Sequence, residues 1–231
     1  MAQAADGAIG PALRVDDVPP PLSDIFPSDA KPIRTDECAT QIHCHIDDVD
    51  IACREEYALL AALLRRAPDS ALLEVLSGFR DDSTQFGATH TALARAAKEA
   101  DCELLERELF ELFAGVGRGK LSPYGPYYLT GFLNERPLAR LRNDLRKLGI
   151  VRVELQSEPE DHVAILCEIM AGPAGGGLAA APDAQKRLFE EHLAPVGRFF
   201  LISLNATFYR RVATIGRLFI GIETEVCTLP S

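Results

Sequence analysis

The sequence predicts an all-α fold, a helical bundle in two halves joined by a hinge. Three observations predict it. After residue 47, apolar residues recur at the intervals that line one face of a helix. The periodic segments start at capping residues and end at Gly or Pro. The one alternating stretch, "VRVELQ" at 151–156, has no second strand to pair with and reads as a linker.

Each element follows from that pattern. Residues 1–47 carry Pro11, Pro19, Pro20, Pro21, Pro27 and Pro32 with many acids and no apolar period, which predicts a flexible Pro-rich extension. "DVDIACREEYALLAALLRRAP" places Ile51, Tyr57, Leu60, Leu63 and Leu64 on one stripe and stops before Pro68. "DSALLEVLSGF" starts at an Asp69 or Ser70 cap and ends at Gly78. "ATHTALARAAKEA" and "DCELLERELFELFAG" follow, the latter with Leu105, Leu109, Leu112 and Phe113 on one face. "VGRGKLSPYGPYYLTG" reads as a loop, and "RPLARLRNDLRKLGI" as a helix ending at Gly149. "HVAILCEIMAG" is the next helix, "PAGGGLAAAP" a break, and "DAQKRLFEEHLAPVGRFFLIS" and "NATFYRRVATIGRLFIGIETEV" are the last two helices. In the final helix Phe208, Val212, Ile215, Phe219 and Ile222 share the apolar face. The organisation expected is an extension over 1–47 and one helical domain over 48–226. That domain divides into an N-terminal half at 48–150, a hinge at 151–162 and a C-terminal half at 163–226.

Composition excludes some functions. The chain has 231 residues, 47% of them hydrophobic, and a formal net charge of -10 at pH 7. An acidic chain lacks the basic face that a general nucleic-acid binder needs, and it speeds encounter with basic partners. No apolar run approaches a membrane span, so no stable membrane insertion is expected. "MAQAADGAIGPALRVDDVPPPL" has neither a basic nor an apolar targeting region, and the six cysteines form no CxxC pair. Both points suit the cytoplasm.

Three clusters carry chemistry-bearing residues. "SEPEDHV" at 157–163 has the form of a helix start. Ser157 and Glu160 form a capping box, Pro159 suits the first turn, and the acids suit the positive helix end. That reading leaves His162 unexplained. "IHCHID" at 42–47 offers His43, Cys44 and His45, but no second pair completes a zinc site. "GVGRGK" at 115–120 fails the phosphate-loop spacing and follows a helix rather than a strand, so it reads as a helix end. No nucleophile elbow, HExxH pair or dinucleotide fingerprint is present, and no catalytic or metal-binding residue is assigned.

The order of "ERELFELFAGVGRGKLSPYGPYYLTG", "PLARLRNDLRKLGI", "EPEDH" and "FYRRVATIGRLFIGIE" resembles the TorD/DmsD/NarJ-like family of redox-enzyme maturation chaperones, from about Asp50 to about Glu225. The most specific part is E-P-x-D-H, here Glu158, Pro159, Asp161 and His162. Leu109, Pro126 and Val196 depart from the family pattern and mark a divergent branch. The resemblance implies an all-α cytoplasmic protein with no catalytic activity of its own. Its partner would be a molybdopterin-containing oxidoreductase catalytic subunit or its N-terminal twin-arginine signal peptide, held until the molybdenum cofactor is inserted. It implies a client-binding site at Glu158, Pro159, Glu160, Asp161 and His162, with Tyr127 and Tyr128 of the "YYLTG" segment. It implies no tightly held cofactor, leaving room for a weak guanine-nucleotide or molybdenum-cofactor contact. A monomer or a hinge-swapped dimer is expected. Two alternatives stand beside this reading: a metal-dependent hydrolase using the EPEDH and HCH clusters, and a helical scaffold or regulatory domain.

Overall fold

The computed structural model describes residues 48–80, 84–114, 120–130, 135–150, 158–172, 182–197, 199 and 206–228. Among them the architecture is all-α, with no strand. The proline-rich extension, the HCH cluster, most of "GVGRGK", the "VRVELQ" linker and Ser157 lie outside the described residues.

Helix α1 (Asp48–Arg65) packs against α7 (Val163–Ala171), and this pair forms the centre of the molecule. Their contact is apolar on both sides. Tyr57, Leu60, Leu63 and Leu64 of α1 are buried, and so are Val163, Ala164, Leu166, Cys167 and Met170 of α7. Each large side chain so buried contributes about 1.5–3 kcal/mol relative to exposure. Helix α7 is apolar nearly all round because other elements also cover it, which a single stripe would not allow.

Helices α2 (Ser70–Ser77) and α3 (Gln85–Lys98) pack on each other, and α3 packs on the last helix, α9 (Tyr209–Thr228). Caps fix their starts. Asp69 accepts a hydrogen bond from the Leu72 N–H at 2.9 Å, and Thr84 accepts from the Gly87 N–H at 2.9 Å. The Thr84 cap starts α3 three residues earlier than the apolar pattern suggested. Helix α4 (Cys102–Phe113) is capped by Asp101.

Two elements differ from the sequence expectation. The loop containing "YGPYYLT" folds into a short helix, α5 (Gly125–Thr130). The long helix expected over 183–203 is broken. Helix α8 (Pro182–Leu188) passes into a π-helical turn (Phe189–Leu193) and then a 3-10 turn (Ala194–Val196). Pro195 explains the break. It has no N–H to give the Glu191 carbonyl, and its ring crowds that carbonyl, so the chain widens upstream. The Ala194 N–H reaches back to the Phe189 carbonyl, the longer π-type bond.

Helix α6 (Glu135–Lys147) ends as expected near Gly149, which has a φ of 71°. The Ile150 N–H bonds the Leu145 carbonyl at 2.9 Å across that left-handed residue. Ile51 and Ile222, which the spacing placed on the apolar stripes, are exposed. No helix among the described residues is long and apolar enough to cross a membrane.

Candidate functional site

The EPEDH segment does not start a helix with its acids. Helix α7 begins only at Val163, and its N-cap is His162, whose Nδ1 accepts the Ala164 N–H at 3.2 Å. This corrects the capping-box reading, which placed Glu160 in the first turn. The cap gives His162, which a capping box leaves without a role, a definite one.

The segment is clamped to the chain ahead of α5. Tyr124 and His162 form an antiparallel bridge, with the Gly125 N–H donating to the Asp161 carbonyl at 3.0 Å and the Val163 N–H to the Pro123 carbonyl at 2.8 Å. A Cβ at Gly125 would stand 3.4 Å from the His192 carbonyl and 3.8 Å from that of Asp161, ordinary contact distances, so the clamp rests on the two backbone hydrogen bonds. The Tyr124 hydroxyl donates to Glu158 at 2.9 Å. Burial, followed by that bond to Glu158, pushes the tyrosine up to about 12.

The four polar residues of the motif have different fates. Glu158 is exposed at the rim. Glu160 is buried and already holds an arginine of its own chain, with Arg142 Nε and one terminal nitrogen at 3.0 and 2.9 Å. Asp161 is buried, and its Oδ1 has no hydrogen-bond partner among the described residues. Its pKa is raised, first by burial, with a hydrogen bond from its own backbone N–H and the nearby Arg142 only partly offsetting burial and the repulsion of Glu160. His162 is lowered from the usual histidine value, again chiefly by burial, with Arg65 pushing the same way against Glu158. Its ring packs edge-on against Tyr124 at 5.5 Å and Phe113 at 6.4 Å.

An open groove of about 530 Å³ runs from this point along the seam between α4 and the end of α1. Leu64, Leu109, Phe110 and Phe113 supply its apolar surface. Glu106, Glu158 and Asp69 bring carboxylates, and His162 closes one part of the wall. Arg65 and Arg66 also line it, Arg65 ion-paired to Glu168 and Arg66 lying 3.9 Å from Asp69. Phe110 is 58% exposed, a large apolar ring open to solvent. Such a surface suits an extended or helical peptide with an apolar stretch next to positive charge. Its lining among the described residues brings together no nucleophile, base and oxyanion donors.

Tyr127 and Tyr128 sit on α5, outside the groove lining. Tyr127 is exposed; Tyr128 is half-buried and donates to the Ser122 carbonyl at 2.9 Å. Tyr128 reaches the site indirectly: it packs on Phe199, which stacks on Phe113 at 5.4 Å. The structure thus brings Glu158 and His162 to the groove and leaves Glu160, Asp161 and the two tyrosines behind or beside it.

Sequence reasoning missed Phe110 and Arg142. Phe110 had a visible signal, an aromatic ring on the otherwise polar side of α4. Arg142 had none, because its partner lies 18 residues away. Glu108 likewise acts at long range, accepting the Tyr209 N–H at the first turn of α9 at 3.0 Å.

Residues 80–200, just over half of the chain, match the family model described as nitrate reductase delta subunit. Two proteins named chaperone protein TorD, from two strains of Vibrio cholerae serotype O1, are similar to it. One is 30% identical over 131 residues, covering 51% of this chain and 60% of the relative. The other is 30% identical over 112 residues, covering 44% and 51%. The chain therefore spans about half of the length of these relatives, or slightly more. The matched region includes α4, the EPEDH segment and the π-helical turn, and the chain belongs to the nitrate reductase delta subunit family, the TorD/NarJ-like group.

Proposed function

We propose that this protein is a maturation chaperone for a molybdoenzyme and binds the client's N-terminal twin-arginine signal peptide before export. One observation carries the reading: the groove joins the exposed ring of Phe110, flanked by the half-buried Leu109 and Phe113, to the carboxylates of Glu106 and Glu158, beside His162. A twin-arginine peptide has the complementary form, two guanidinium groups followed by an apolar segment. Membership of the family and likeness to proteins named chaperones support it. Glu158 is the residue of the motif that meets the arginines. Asp161 and His162 shape the wall behind it. No observation favours the hydrolase alternative.

The test is capture of the client from its own cytoplasm by tagged full-length protein, alongside binding of a labelled signal peptide. Phe110→Ser and Glu158→Gln change exposed side chains, so both variants stay folded. The expected result is one immature molybdoenzyme bound by the wild type, and peptide binding weakened about tenfold or more by Phe110→Ser. A peptide with both arginines replaced by glutamine should lose the effect of Glu158→Gln. Binding that is indifferent to both variants would remove the groove as the site. No molybdoenzyme client at all would sink the chaperone reading.

A further inference from the structure

A second cluster lies away from the groove. Asp144 of α6 and Glu191 and His192 of the π-helical turn each offer a ligand atom, and these atoms lie within 4.8 Å of one another. His192 is buried, and its Nε2 faces Asp144 Oδ2 at 3.4 Å, long for a hydrogen bond. Lys147 holds the other oxygen of Asp144 at 2.8 Å, which leaves Oδ2 turned toward His192.

An ordinary ion-pair network would need only Lys147, Asp144 and His192. Glu191 is the surplus group. It brings a second carboxylate close to Asp144, where like charges repel. Its neighbour His192 points the same way because the π turn advances the chain by a smaller angle per residue than an α turn, so adjacent side chains diverge less. On the other side the His192 carbonyl faces Gly125 of α5, where an added Cβ would stand at 3.4 Å.

We propose that Asp144, Glu191 and His192 form a site for one divalent first-row transition ion. One imidazole and two carboxylates suit Zn2+, Mn2+ or Fe2+, with water completing the coordination. The ion takes Asp144 Oδ2, His192 Nε2 and one Glu191 oxygen, while Lys147 keeps Asp144 Oδ1 and orients that carboxylate. Small side-chain rotations bring the three atoms to bonding distance. The ion ties α6 to the π turn. Two residues before Asp144, Arg142 holds Glu160, so the bound ion braces the wall on which the EPEDH segment rests.

The test uses full-length protein stripped with chelator and titrated with Zn2+ against a chromophoric competitor. The N-terminal His43 and His45 are a second source of ligands, so His43→Ala/His45→Ala serves as the background. In that background one equivalent should still bind. Glu191→Gln changes an exposed residue and should lower the affinity about tenfold or more. Substitution with Co2+ should give ligand-field bands without thiolate charge transfer. Loss of all binding in the His43→Ala/His45→Ala protein, or an affinity unchanged by Glu191→Gln, overturns the site.

Discussion

His162 does two things with one ring. Its Nδ1 caps α7, and its faces fill the space between Tyr124 and Phe113. Removing the cap alone costs about 0.5–2 kcal/mol. His162→Ala should therefore lower the urea midpoint by more than that loss, and His162→Asn, itself a good cap, should recover the capping share only. The pH dependence has a defined sign. The folded-state pKa of His162 lies below the ordinary value, so the neutral ring contributes fully above about 6.5. As pH falls from there through the depressed folded pKa, the unfolded chain takes up the proton first and stability drops. Protonation also removes the Nδ1 acceptor. Denaturation followed between neutral and mildly acid pH should show a steeper fall for the wild type than for His162→Asn. Asp161 behaves oppositely. Its folded pKa is raised by burial, so its charged form weighs against folding at neutral pH. Asp161→Asn should be the more stable protein near pH 7. The gap should narrow as acid protonates the wild-type carboxylate through that raised pKa and down to the unfolded value. A gap that widens on acidification would mean that the backbone hydrogen bond and Arg142 outweigh burial at Asp161.

The elements owe their limits to single residues. Gly149 ends α6 in the left-handed region with the Leu145 carbonyl bonded across it. Gly149→Ala should cost about 1–2 kcal/mol, a melting-temperature loss of several degrees, although open space surrounds the position. Here the sequence was an adequate guide, because glycine after a periodic run has one dominant meaning. The same holds for the Asp69 cap and for the starts and ends of most helices. It was a poor guide where a side chain acts over long range or where a proline sits inside the pattern. The apolar spacing of 183–203 is continuous and hid the π turn, and "SPYGPYY" showed turn residues that proved to begin a helix. The EPEDH motif was legible as a place of interest, but local rules assigned its acids to a helix start. Only the fold shows that Arg142 occupies Glu160 and that the chain before α5 fixes Asp161.

At the scale of the molecule, the groove, the motif and the last helix share one structural member. Helix α4 presents Leu109, Phe110 and Phe113 to the groove, while Glu108, just before them in sequence, accepts the Tyr209 N–H at the start of α9. On the function proposed here, a client lying in the groove would press on the same helix whose Glu108 holds the start of α9. The charge on Glu108 also favours the positive end of that helix. Glu108→Gln should keep the bond and weaken the electrostatic part, lowering stability by up to about 1 kcal/mol in thermal unfolding. Occupancy of the groove thus has a reporter remote from it in sequence. Deuterium uptake at the first amides of α9 should slow when the signal peptide binds, and the Glu108→Ala protein should have lost the ability to convey that message.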